Sequence, residues 1–285
     1  MERREFIAKS ALSLVAASLG AGATGSLFAA PPAATPQYRH GPKQATGDKG
    51  KRISLAFVIY PGMTPLDIIG PATMLGGENF DIHFVWRDRN PVHGEMAHVQ
   101  FLPSTTFREL KKVDVLCITG TGNPYALLKE HEMIDWLHEV GGKAEWITSV
   151  CTGSILLGAA GLLQGYQATT HWSMIDDLKP FGAIPVNDRV VIDRNRITGG
   201  GVTAGIDFGL TLQAELAGKQ SAEYAQLITQ YDPHPPFHSG TPQQAAPELV
   251  KSVKKMVFDM VEARTPDWQQ QMKASVARMQ RYNKA

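Results

Sequence analysis

Residues 53–60 are apolar at every position except Ser54. A strand that faces water on one side alternates polar with apolar residues, so a run without alternation has to be covered on both faces. Residues 113–119, interrupted at Asp114, and residues 145–150 read the same way. Residues 80–86 form a further strand and residues 98–103 a hairpin or edge region. Between these runs lie helical stretches. Pro61, Gly62 and Met63 form a turn, Thr64 is placed as a helix N-cap and Pro65 as the first helical residue. Helices are expected around residues 125–140, over 152–160 and over 203–217. Residues 189–198 read as a hairpin turning at Arg194 and Asn195. Strands alternating with helices predict an α/β layered fold: a mostly parallel sheet, helices on both faces, and chemistry at the carboxyl ends of the strands.

One of those strand ends carries a cysteine. Cys151 follows residues 145–150 directly, and the small and apolar residues of a packed helix come straight after it. A cysteine at such a turn meets the unpaired amides that open the helix, which favour the thiolate. That is a nucleophile elbow with sulfur in place of a serine oxygen. A free cysteine is also a small buried hydrophobe, and the turn alone leaves both readings open. Cys117, the second cysteine, sits inside the apolar run 113–119 and reads as core. Both thiols are expected to be free, since a bridge would consume the nucleophile.

Asp67 has two readings as well. Three residues after Thr64, it completes a capping box or complements the helix dipole; at the carboxyl end of the first strand it also faces any pocket shared with Cys151. Gly199, Gly200 and Gly201 precede a helix, where a glycine run packs tightly or cradles an anion. No nucleotide fingerprint is present. His234 and His238 have metal-like spacing but no cysteine or carboxylate pattern beside them, so no metal is expected.

Residues 1–30 read as an address. Arg3 and Arg4 precede a mild run of Ala, Ser, Gly, Leu and Val, the pattern of a twin-arginine export signal, which predicts a periplasmic protein. The run is too short and too weakly apolar for a membrane span, and no stable membrane insertion of the mature chain is expected. Residues 31–52 read as a linker, 53–245 as the catalytic domain and 246–285 as a helical extension. Within the 285 residues the formal net charge is +1, and residues 1–30 supply all of it. A neutral body without a basic stripe gives no support for nucleic-acid binding.

The block from Ser149-Val150-Cys151-Thr152-Gly153-Ser154 through Leu162-Leu163-Gln164-Gly165 to Thr170-His171-Trp172 resembles the ThiJ/PfpI superfamily of class I glutamine amidotransferase-like proteins. Leu66-Asp67-Ile68-Ile69-Gly70-Pro71, residues 198–208 and Tyr231-Asp232-Pro233-His234-Pro235 extend the likeness towards the members that hydrate isonitriles. It spans residues 53 to about 250. The resemblance implies a flavodoxin-like sandwich with Cys151 as nucleophile, Asp67 as acid and base, and Thr152 beside them. It implies anion stabilisation at Gly120, Thr121, Gly200 and Gly201. The implied reaction turns an isonitrile into an N-substituted formamide through a cysteine thioimidate, and it balances without metal or organic cofactor. Thr121 stands where the family has glycine, which narrows the pocket or shifts the backbone donor. His171 reads as a packed histidine rather than a triad member.

Two other classes share the resemblance: a small-molecule-binding regulator domain, and a glyoxalase-like or protein-repair thiol enzyme. Regulators carry a DNA-binding helix pair after the domain, whereas this chain ends in two amphipathic stretches. Leu249, Val253, Met256 and Met260 form one stripe; Trp268, Met272, Val276 and Met279 form the other. Each has to cover the domain or a second subunit, and the expected assembly is a homodimer.

Overall fold

A computed structural model describes residues 52–282; the export-signal assignment and nearly all of the linker lie outside them. The chain runs β1 (Ile53–Val58), α1 (Leu66–Met74), β2 (Phe80–Trp86), β3 (Val92–His93), β4 (Gln100–Phe101), β5 (Thr105–Thr106) and β6 (Val115–Ile118). A 3₁₀ segment (Pro124–Lys129) then leads to α2 (His131–Gly141), β7 (Trp146–Val150) and α3 (Gly153–Ala159). After β8 (Gln167–Ala168) a second 3₁₀ segment (Trp172–Phe181) precedes β9 (Ile184–Pro185), β10 (Val190–Asp193) and β11 (Arg196–Gly199). Helices α4 (Ala204–Ala217), α5 (Lys219–Ile228), α6 (Pro247–Arg264) and α7 (Trp268–Tyr282) complete it.

Seven strands form one sheet in the order β10-β11-β7-β6-β1-β2-β5. All neighbours are parallel except the β10–β11 hairpin. The two-residue period of the strands sorts their side chains between two cores. Ala56, Val58, Leu116 and Ile118 join the core under α2, α3, α6 and α7, while Leu55, Phe57, Val115 and Cys117 pack with Phe208, Leu212 and Leu216 of α4. This two-sided burial is why the strands lack polar alternation.

Register decides where the site forms. Val58 lies beside Ile118, Ile118 beside Ser149, and Val150 beside Gly199. The carboxyl ends of β1, β6, β7 and β11 therefore share one edge. The chain leaves β1 for β2 on one side and returns to β6 on the other, so the switch in strand order falls between β1 and β6, where open parallel sheets form crevices.

Several expectations are corrected. The helix expected around residues 125–140 is two elements, because Glu130 leaves helical geometry between them. Thr64 is not a side-chain cap: α1 starts after Pro65, and the Thr64 hydroxyl donates to Glu95 Oε2 at 3.2 Å. α5 was not foreseen; it is set off from α4 by Gly218, whose φ of 90° an L side chain rarely adopts.

The extension packs on its own domain. Val261, Met272 and Met279 are buried in the main core, Trp268 stacks obliquely on Tyr125 at 4.8 Å, and Asn123 Nδ2 donates to Thr265 Oγ1 at 2.8 Å. Leu249 and Met256 of α6 stay exposed.

Candidate active site

Cys151 sits at the β7–α3 turn with φ 56°. A non-glycine residue in that region costs about 1–3 kcal/mol and persists only where its surroundings determine it. Here they do. The Cys151 N–H points at the Gly199 and Gly200 carbonyls, each at 3.0 Å, and its carbonyl accepts the Thr170 hydroxyl at 2.9 Å. The side chain is buried at 4 % exposure. The backbone N–H groups of Val202 and Thr152 and the Asp67 carboxyl face its sulfur.

The amides that open the helix act on the thiol as expected, but burial acts against them. Burial pushes the Cys151 thiol well above its ordinary value, and a charge on Asp67 adds to that; the Val202 and Thr152 amides pull only partly the other way. Both cysteines are free, and burial holds Cys117 up at about 12.

Asp67 resolves in favour of the site. Its carboxyl turns away from the helix amides, and Oδ2 accepts Gly120 N–H across the crevice at 2.8 Å. Asp67 is fully buried, and Oδ1 has no partner. Burial first, then the charge of Glu95, raise its pKa from 3.8 to about 8, with the Gly120 amide and the Cys151 thiol offsetting part of the rise. At neutral pH the carboxyl keeps its proton beside the thiol. Tyr60 closes the end of β1, fully buried, and donates to the Thr119 carbonyl at 2.6 Å.

Gly120 is where these groups converge. A Cβ there would lie 2.6 Å from Thr152 N, 2.7 Å from Cys151 Cβ and 2.9 Å from Asp67 Oδ2. No side chain fits between acid and nucleophile. The next residue changes the role foreseen for it. Thr121 N–H donates to Thr152 Oγ1 at 2.9 Å, and Thr152 Oγ1 donates back to the Thr121 carbonyl at 2.7 Å. Thr121 Oγ1 also donates to the Gly62 carbonyl at 2.7 Å. The amides of Gly120 and Thr121 are therefore engaged inside the protein and are not free for an anion. Thr152 contributes its amide to the sulfur and its hydroxyl to this latch.

Gly200 and Gly201 likewise build the loop. Gly200 donates to the Arg189 carbonyl at 2.9 Å, and the Gly201 carbonyl accepts Ala204 N–H at 3.0 Å. They line a cavity of about 420 Å³ bounded also by His171, Trp172, Arg189, Val202 and Thr241. The His171 ring hydrogen-bonds Ser173, Nδ1 to Oγ at 2.8 Å, and burial lowers its pKa. That matches a packed neutral histidine. His234 is exposed and takes its contact from the Asp232 carbonyl. Among the described residues no group of three or more His, Cys, Asp or Glu side chains is arranged to hold a metal.

Sequence reading missed three members. Val202 was part of a quoted motif, yet its φ of 26° and its amide on the sulfur had no signal beyond being a β-branched residue after a glycine run. Glu95 reaches the acid from a loop with no motif at all. Tyr60 reads as the last residue of an apolar run and, with Pro61, as part of the family resemblance, without a role of its own.

A family model described as the DJ-1/PfpI family matches residues 53–215, more than half of the sequence. The chain belongs to the DJ-1/PfpI family. It is 42% identical to isonitrile hydratase of Pseudomonas putida over 214 residues, covering 75% of this chain and 93% of that protein. It is 35% identical over 174 residues to the HTH-type transcriptional regulator CdhR of Pseudomonas aeruginosa, spanning 58% of this chain and about half, 51%, of the regulator. The crystal structure of a ThiJ/PfpI family protein from Pseudomonas syringae superposes with a TM-score of 0.72 at 38% identity, covering 87% of this chain and 97% of that one. Drosophila melanogaster DJ-1beta, at 23% identity and a TM-score of 0.56 over 64% of this chain and 100% of its own, shares the fold. The layered sandwich expected from the sequence is thus the DJ-1/PfpI fold.

The proton on Asp67 has a consequence for stability. The folded-state pKa of about 8 lies above the ordinary 3.8, so folding binds a proton that the unfolded chain releases between those values. This contribution is complete below about pH 4 and is lost as pH rises through 8, by up to about 1.4 kcal/mol per unit. Asp67→Asn keeps an acceptor for Gly120 without the proton. Thermal melts should show the variant gaining on the native protein from pH 5 to pH 8.5. A melting difference independent of pH would contradict a buried neutral carboxyl.

Proposed function

We propose that this protein hydrates an isonitrile to an N-substituted formamide. The observation that carries the reading is a buried carboxyl set against a buried thiol at a nucleophile elbow, with only the Gly120 backbone between them. The 42% identity to isonitrile hydratase over 93% of its length supports the substrate class.

An isonitrile carbon must gain one proton and one nucleophile, and the pair supplies both. Cys151 sulfur bonds to the terminal carbon while Asp67 passes a proton to that carbon and takes up the one leaving the thiol. The product of this step is a thioimidate, with carbon bound to sulfur, hydrogen and nitrogen. Water then adds to the same carbon. Asp67 passes its proton to the nitrogen as it takes one from the water, and the proton of the adduct's hydroxyl is then transferred to sulfur as the carbon–sulfur bond breaks, which returns the thiol and releases the formamide. The Thr152 and Val202 amides stabilise negative charge on sulfur as that bond forms and breaks. The Thr121–Thr152 latch holds the Gly120 amide on Asp67.

Purified protein mixed with cyclohexyl isocyanide and a panel of alkyl and aryl isonitriles should yield the formamides. Cys151→Ala and Asp67→Asn should each lower kcat/KM by at least about 10³-fold. No formamide from any of the panel, with turnover of methylglyoxal instead, would replace this reading by a glyoxalase-like one.

Export by the twin-arginine route to the periplasm is part of the proposal, supported by Arg3 and Arg4 ahead of the weak apolar run. Among the described residues no helix is long and apolar enough to cross a membrane. A reporter fused after residue 52 should reach the periplasm, and replacing both arginines by lysine should retain it in the cytoplasm. Unchanged delivery after that replacement would remove the route.

A homodimer is the assembly we infer. Tyr224, Leu227 and Ile228 of α5 and Ile69 of α1 stand exposed as large apolar side chains on neighbouring helices. Light scattering should give twice the chain mass, and Leu227→Asp should reduce it. A native protein of single-chain mass would overturn the dimer.

A further inference from the structure

The loop of residues 200–203 places a backbone donor on the nucleophile in a conformation its sequence does not favour. Val202 is β-branched and has φ 26°, yet its N–H meets the Cys151 sulfur. β-branched residues at positive φ are outliers that relax unless the surroundings hold them. Two contacts confine this loop. On one side Gly201 presses on His171, so closely that a Cβ would lie 2.6 Å from the ring Cδ2. On the other side stands Arg189, the residue before β10.

Arg189 grips the loop on both flanks of Val202. Its carbonyl accepts the Gly200 N–H at 2.9 Å, and its guanidinium Nη2 donates to the Thr203 carbonyl at 3.1 Å. The same guanidinium donates through Nε to Asp207 on the first turn of α4, and Tyr231 OH donates to that carboxylate at 3.1 Å. Asp207 thus sets the orientation of the planar fork that reaches Thr203. The Arg189 side chain is half exposed, so the ion pair with Asp207 adds little to global stability. Its geometric effect falls on the loop.

We propose that Arg189 is a positioning residue for the nucleophile: through its guanidinium on the Thr203 carbonyl it holds the loop that keeps the Val202 amide against Cys151 Sγ and so governs how readily the thiolate forms. Lysine cannot replace it fully, because a single ammonium lacks the fork that meets Asp207 and Thr203 together. The other groups facing the sulfur are Asp67 from α1, Glu95 from the β3–β4 loop and Tyr60 from the end of β1, with His171 behind Gly201. An Arg189 substitution leaves all of them in place. The inference rests on Cys151 as the nucleophile but not on the identity of the substrate.

The test is alkylation of the full-length protein by iodoacetamide across pH, read by mass spectrometry on the Cys151 peptide. It needs no isonitrile, so failure of the hydratase reading leaves it intact. Arg189→Ala should displace the rate-against-pH curve upward by about one unit, slowing alkylation roughly tenfold at a fixed pH below the midpoint. Arg189→Lys should recover part of that loss. Arg194→Ala, at the turn of the same hairpin, should react like the native protein. An unshifted curve for Arg189→Ala, or an equal shift for Arg194→Ala, would overturn the proposal. If Arg189→Ala does not fold, a native curve for Arg189→Lys overturns it alone.

Discussion

The contact between Asp67 and Gly120 is the constraint on which the rest of the site depends. It ties the helix after β1 to the loop after β6 across the switch point of the sheet, through a backbone donor at 2.8 Å. A carboxyl buried this completely cannot keep a negative charge without a cation, and Glu95 nearby makes the charge harder still to hold. The proton therefore stays, and the one acceptor bond that remains satisfied is the one to Gly120. Oδ1, without a protein partner, is where an incoming group finds a donor. Burial shapes the reactivity: the same enclosure that raises Asp67 raises Cys151, so a proton from the carboxyl and the sulfur beside it are available to one substrate carbon.

Around that contact the structure is arranged to keep the two elements at fixed separation. Thr121 and Thr152 exchange two hydrogen bonds, and Thr121 reaches on to Gly62, so three loops at the carboxyl edge are fastened to one another. The threonine at 121 ties the loop before α1 to the nucleophile turn. The donors left for charge on sulfur are consequently the amide of the residue after the nucleophile and that of Val202, not those of the β6 loop.

How much of this was legible follows from what determines each part. The strands were, because burial on both faces removes polar residues from a run such as β1; β2 falls on residues 80–86 as expected, and the hairpin turn falls at Arg194, which takes φ 55°. The elbow was legible because an apolar strand, a cysteine and small residues in succession leave few alternatives. Asp67 was not decided, since a position three residues after Thr64 serves a cap and a site equally; the alignment of β1 with β6 chooses between them. The 3₁₀ segment at residues 124–129 and the short α5 were blurred or missed because packing, rather than a local period, sets their form. Glu95 was invisible for the same reason: it belongs to the site through a bridge between Met63 and Gly94 that no local pattern announces.

The left-handed conformations of Cys151 and Val202 complete the account. They stand at the ends of adjacent strands, β7 and β11, whose last residues Val150 and Gly199 are register partners. Neither conformation is favoured by its own side chain, and together they cost a few kcal/mol. Each, however, removes a reason for the other to relax. The Cys151 amide bonds to the carbonyls of Gly199 and Gly200, which fixes the start of the glycine loop; the loop returns the Val202 amide to the sulfur, which fixes the cysteine side chain. Relaxing either residue breaks contacts made by both. Strain at this edge of the sheet is therefore not an isolated defect at a reactive residue. It is shared between two strand ends, and the sharing brings two backbone donors, one from each strand end, to a sulfur that the surrounding core would otherwise leave protonated and inert.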